Sequence, residues 1–137
     1  MPFVISADAE PNSYVHRWVS LIYGEAFRRL GIPVQISSFP QARGTALANQ
    51  GSVDGQAGRI RAYGDTHPDM VRVEEPVMDF TGLRKLFDLA SVQTYPYVNR
   101  KHAALAPKLA DVLKQMRAEG LLKAYPQQAE REMGWTR

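Results

Sequence analysis

The sequence predicts an α/β lobe: a mostly parallel sheet of about five strands with helices on both faces, giving a three-layer α/β/α arrangement. Three observations predict it. Short apolar runs of strand type alternate with amphipathic helical runs along the chain. The helical runs end in glycine at Gly31, Gly51 and Gly120, where a left-handed cap residue belongs. With 137 residues, 45% of them hydrophobic and 23% charged, the composition is that of one ordinary globular domain.

Phe3-Val-Ile is the first strand-type run, and Ser6 to Pro11 form a polar turn after it. Asn12 or Ser13 caps a helix in which Val15, Trp18, Val19, Ile22, Tyr23, Ala26, Phe27 and Leu30 recur at three- and four-residue steps. Arg17, Glu25, Arg28 and Arg29 fall between them, on the outer face. Gly31 and Pro33 stop the helix, and Val34-Gln-Ile36 is a second strand. Pro40 opens a shorter helix running to about Asn49.

Ser52 to Ala57 is a third, polar strand, Tyr63 to Met70 a loop with one helical turn, and Met70 to Val73 a short strand stopped by Pro76. Leu83, Leu86, Phe87 and Leu89 share one side of a short helix or lie in a bridge between strands. Ser91 to Val98 reads as a strand despite Pro96. Leu105, Leu109, Val112, Leu113 and Met116 mark a last helix ending at Gly120, with Leu121, Leu122 and Tyr125 on a following turn and a polar tail to Arg137. In a sheet of this kind ligands sit beyond the carboxyl ends of the strands, here Ser6 to Tyr14, Ser37 to Arg43, Gly58 to Tyr63 and the turn near Asn99.

Several function classes fall away. The net charge of +3 is spread over short separated pairs such as Arg28-Arg29 and Arg100-Lys101, so no nucleic-acid partner is expected. The absence of cysteine removes disulfides, thiolate catalysis and cysteine-based metal centres. His16, His67 and His102 lack metal-ligand spacing. Neither GxGxxG, a phosphate loop nor GxSxG is present, so neither a cofactor nor an enzymatic activity is expected. Met1-Pro-Phe-Val-Ile-Ser has no basic n-region or long apolar h-region, so no signal peptide is expected in this sequence.

The stretch Leu47-Ala-Asn-Gln-Gly-Ser-Val-Asp-Gly-Gln-Ala-Gly-Arg-Ile60 reads as helix end, turn, strand and glycine-arginine exit. In that order it resembles bacterial extracytoplasmic solute-binding proteins of the amino-acid type (family 3). Asp8 to Tyr14, Phe39 to Arg43, His67 to Val77, Tyr95 to Ala103 and Pro107 to Ala110 resemble further segments of that family, in the same order. The resemblance implies a lobe of the type II periplasmic binding protein-like fold, a small polar ligand such as an amino acid, a periplasmic or extracytoplasmic location, and delivery to a membrane transporter or sensor. Relatives have two lobes and roughly twice this length. This chain divides into a first segment (3–79), a shortened crossover (80–91) and a returning strand with C-terminal helices (92–137). The crossover has no room for a second lobe, so a weak half-site is expected.

Arg59 leads the candidate ligand contacts. It follows Gly58 at a strand end, where backbone amides and a guanidinium can hold a carboxylate, a charge-assisted bond of roughly 1.5–3 kcal/mol. Arg43, a cation in the first turn of a helix, calls for an external anion or a salt bridge to Asp8 or Glu10. Asp8 and Glu10 suit an ammonium group or a helix cap. Tyr14, Phe39 and Tyr97 offer stacking surfaces. Side chains that would have faced a second lobe, Phe80, Phe87 and Tyr97, are expected to be exposed and to favour a homodimer, with exchange of the C-terminal strand and helix as one route. The alternatives are a ligand-free interaction or self-association module, an engineered single-lobe fold, and a phosphoacceptor signalling domain using Asp8, Glu10, Asp54 and Lys101. The latter is disfavoured because Asp54 lies early in its strand.

Overall fold

The computed structural model describes residues 1–79 and 93–134. The expected helix or bridge around Leu83 to Leu89, and with it Phe80 and Phe87, lies outside the described residues.

The first half alternates as expected: β1 (Phe3–Ala7), α1 (Tyr14–Leu30), β2 (Val34–Ser38), α2 (Gln41–Gln50) and β3 (Gly55–Ile60). Ser13 is the N-cap of α1, its Oγ accepting the His16 N–H at 3.1 Å. Gly31 closes the helix at φ 72°, and its amide donates to the carbonyls of Arg28 and Phe27. A short 3₁₀ turn (Arg61–Thr66) leads to β4 (Met70–Arg72) and β5 (Met78–Asp79). The described chain resumes with β6 (Gln93–Asn99), α3 (Leu105–Ala118) and α4 (Leu121–Glu132). α4 corrects the expected polar tail. Leu122, Tyr125 and Ala129 recur at three- and four-residue steps and are buried, whereas Pro126 and the many polar residues between them obscure the pattern.

The sheet has six strands in the order β2-β1-β3-β6-β4, with β5 also on β6. It is mixed, not mostly parallel. β1 runs parallel to β2 and β3, but β6 is antiparallel to β3, β4 and β5. The reason is where β6 enters. It begins beside the end of β5, with Gln93 opposite Asp79, and runs back between β3 and the pair β4 and β5.

Helices cover both faces. On one, α1, α3 and α4 bury Val19, Ile22, Phe27, Leu109, Leu113 and Tyr125 against Phe3, Ile5 and Val98. On the other, α2 and the 3₁₀ turn enclose a smaller core of Ala48, Val53, Tyr63, Met70 and Tyr97. Ion pairs Arg17–Glu132 and Arg29–Glu119 brace α1 against the C-terminal helices at the surface.

Pro96 lies inside this sheet, where a missing N–H would ordinarily break a ladder. The register explains its tolerance. Gln56 pairs with Tyr97 and Arg59 with Tyr95, so Ala57 and Gly58 together oppose Pro96 in a β-bulge. Within the bulge the Ala57 carbonyl accepts a hydrogen bond from the Tyr23 hydroxyl, which is fully buried.

Candidate ligand cleft

α1 leaves β1 on one face of the sheet, and α2 enters β3 on the other. Such a switch opens a crevice at the carboxyl ends of the two strands between them. A cleft of about 350 Å³ lies there, lined by Ser6 to Ala9 from β1 and its turn, Val15 and Val19 from α1, Gln41 from α2, Gln56 to Ile60 from β3, and Met78 and Thr94.

The bulge decides what faces it. Gln56 reaches the α2 side, where its Oε1 accepts from the Tyr63 hydroxyl at 2.5 Å. In a regular strand Arg59, three residues on, would point to the opposite face. The extra residue restores it to the α2 side, where Arg59 Nη1 donates to Thr45 Oγ1 at 2.8 Å. Its guanidinium also lies 4.1 Å over the centre of the Tyr63 ring, a contact worth about 0.5–1 kcal/mol at a partly exposed site.

Tyr63 is itself fixed. Asn49 Nδ2 donates to its hydroxyl at 3.0 Å, and the His67 ring stacks 3.8 Å away at 14°, necessarily on the face that Arg59 leaves free. Two glycines permit the close packing around the cleft. A Cβ at Gly58 would stand 2.7 Å from Thr94 Oγ1, and one at Gly44 would collide with Ser6 Oγ.

Three features of the cleft-lining residues lack an ordinary polar partner among the described residues. Arg17, Arg28, Arg29, Arg61, Arg72, Arg100 and Arg117 each have a carboxylate within salt-bridge distance; Arg43, Arg59 and Arg131 have none among the described residues, and of these three Arg59 lines the cleft. Thr94 is buried and its Oγ1 has no hydrogen-bond partner among the described residues. The amino end of α2, beside Gln41, has no side-chain cap and no acidic residue in its first turn. Its free amides and positive dipole end favour an anion there.

Of the expected contacts, Asp8, Gly58 and Arg59 line the cleft. Glu10, Tyr14, Phe39 and Arg43 are not among its lining residues. Tyr14 begins α1, with its ring 5.8 Å from Trp18, and Phe39 packs at the edge of the smaller core. Arg43 is exposed and forms no ion pair with Asp8 or Glu10.

Tyr97 corrects the expected exposure: it is buried, and it is not among the residues that line the cleft. The ring is 0% accessible and meets Tyr63 edge-on. Its hydroxyl accepts the Gly64 N–H and lies 2.8 Å from the Arg61 carbonyl. The regular alternation of β6 turns it toward the α2-side core. Sequence reasoning does not single out Ser6, Gln41, Gln56, Thr45 or Tyr63 as site residues. Ser6, Gln41 and Tyr63 fall within the strand-end stretches where a ligand is expected, and the further signal for Gln56 is a polar residue inside a strand.

Asp54 stands just before β3, at the opposite edge of the sheet from Asp8. Its Oδ2 accepts the Val4 N–H at 2.9 Å, and its Oδ1 is 2.8 Å from His102 Nε2 and 3.6 Å from Lys101 Nζ. Partial burial pushes this carboxyl up, yet the Val4, His102 and Lys101 interactions together hold it below the usual carboxylate range. The four residues of a phosphoacceptor centre are therefore split between two edges. No metal-holding group of histidine and carboxylate side chains occurs among the described residues, and none of their helices is long and apolar enough to cross a membrane.

No protein-family model matches the sequence, and no solved structure matches it. The chain is similar to an uncharacterized protein of Shewanella oneidensis, 23% identical over 206 residues, an alignment covering 87% of this chain and 78% of that protein. The alignment is longer than the chain itself, so the Shewanella protein carries within it dozens of residues that have no counterpart here.

Proposed function

We propose that this chain is a single, non-enzymatic lobe of solute-binding type, and that its cleft holds the carboxylate of a small polar solute such as an amino acid. The observation that carries this reading is Arg59: a residue that lines the switch-point cleft, its guanidinium held by Thr45 and Tyr63 and without a carboxylate partner among the described residues. The uncapped start of α2 and the orphaned Thr94 hydroxyl favour the same anion.

Two further observations support one lobe of a larger plan. Asp79 and Gln93 are paired neighbours, so a domain inserted between them would leave the sheet intact. The Shewanella protein has the surplus length that such an insertion needs.

A ligand held on one side stays solvated on the other, whereas ordinary pockets bury most of it. Affinity is therefore set by a few charge-assisted bonds and falls in the millimolar range, about 4 kcal/mol. Titration of an amino-acid and carboxylate panel, followed by NMR, should give saturable shifts confined to Ser6 to Ala9, Gln56 to Ile60 and Thr94. Arg59→Gln should abolish them. Binding that survives Arg59→Gln, or no binding by any carboxylate, refutes the proposal.

A further inference from the structure

We infer that the open rim of the cleft is a self-association surface whose occupant is a second copy of this chain. Charge divides across the rim. Asp8 and Glu10 project from the turn after β1, exposed and without ion-pair partners among the described residues. Arg43, in the first turn of α2 and two residues beyond the cleft-lining Gln41, is exposed and equally without an ion-pair partner among the described residues.

Ile60, at the end of β3, also lines the cleft and is 53% exposed. Apart from Met1 it is the large apolar side chain left in solvent among the described residues. Most other arginines of this surface are matched by carboxylates of the same chain. Charge of both signs without a partner among the described residues, at a cleft that also exposes an isoleucine, therefore points to a match supplied from outside.

A two-fold contact supplies that match. In that contact Asp8 and Glu10 of each copy meet Arg43 of its partner, and the exposed Ile60 of each is covered. Such a surface is self-complementary, as isologous interfaces must be. Opposed charges of this kind steer encounter and fix register. The contact stands on rim charge and apolar exposure alone. Its consequence, that each copy closes the open side of the other's cleft, rests on the carboxylate half-site proposed above.

The test uses Glu10→Lys and Arg43→Glu, two exposed positions outside the cleft lining, each checked for an unchanged circular dichroism spectrum. Sedimentation velocity of the wild-type chain should show a concentration-dependent shift from monomer to dimer. Either reversal, or salt raised to about 0.5 M, should weaken the dimer about tenfold or more. An equimolar mixture of the two variants should recover association, because the two reversed charges then face each other across one half of the contact while the native pair reforms across the other. A wild-type monomer at every concentration overturns the inference, as does a dimer indifferent to both reversals. Carboxylate titration of wild type and Arg59→Gln at monomer concentrations reads the half-site separately, so either proposal can fail without the other.

Discussion

Asp54 joins three elements at the amino edge of the sheet, and removing its carboxylate should be costly for a partly exposed side chain. In Asp54→Ala the Val4 N–H loses its acceptor at 2.9 Å and His102 loses a partner at 2.8 Å. Hydrogen bonds to a charged group contribute roughly 1.5–3 kcal/mol each. With the side chain 21% accessible, water replaces part of this, leaving an expected loss of about 2 kcal/mol. Asp54→Asn keeps an oxygen for Val4 and should lose about 1 kcal/mol. Urea unfolding followed by tryptophan fluorescence and circular dichroism measures both. The same carboxyl sets an acid response. Its folded pKa lies below the unfolded value, so its stabilisation is present above the unfolded pKa and is lost as pH falls through the folded one. Asp54→Ala should therefore unfold with a shallower dependence on pH below about 4. If both variants match wild type within about 0.5 kcal/mol, or the acid slope is unchanged, the clamp is not a stabilising contact.

Two further variants probe the bulge and the missed helix. Gly58→Ala forces a Cβ to within 2.7 Å of Thr94 Oγ1 and should cost about 1–3 kcal/mol; Thr94→Ala should recover part of that loss in the double variant, and strict additivity in urea melts would contradict the packing described. Tyr125→Ala, at a position 7% accessible on α4, should lose about 3 kcal/mol; a loss below about 1 kcal/mol would mean that α4 does not dock on α1.

Much of the architecture is written in local pattern. The apolar period of α1, Ser13 before it and Gly31 after it fix that helix, because each local preference agrees with the tertiary one. The direction of β6 is not local. It depends on where the chain re-enters the sheet, and nothing in Gln93 to Asn99 encodes that. α4 was hidden because only Leu122, Tyr125 and Ala129 face inward across a polar helix interrupted by Pro126. For the cleft, sequence placed Arg59 at the right strand end but could not assign its face. Strict alternation would have sent it toward α1, and only the two-against-one register opposite Pro96 returns it to Thr45 and Tyr63. Tyr97 shows the reverse error: an aromatic near a strand end looked like a ligand platform, although regular alternation commits it to the core.

The pairing of Asp79 with Gln93 also fixes how the chain responds to changes in length. Because these two residues are held together by β5 and β6, whatever joins them is a closed loop, and closure entropy grows only with the logarithm of its length. Each doubling costs about 0.6 kcal/mol. Growth of that connection from a short crossover to something domain-sized is thus a matter of roughly 2 kcal/mol for the lobe, a small toll beside the burial on its two faces. A long insertion between Asp79 and Gln93 would therefore cost the sheet little, whatever fold the inserted residues adopt.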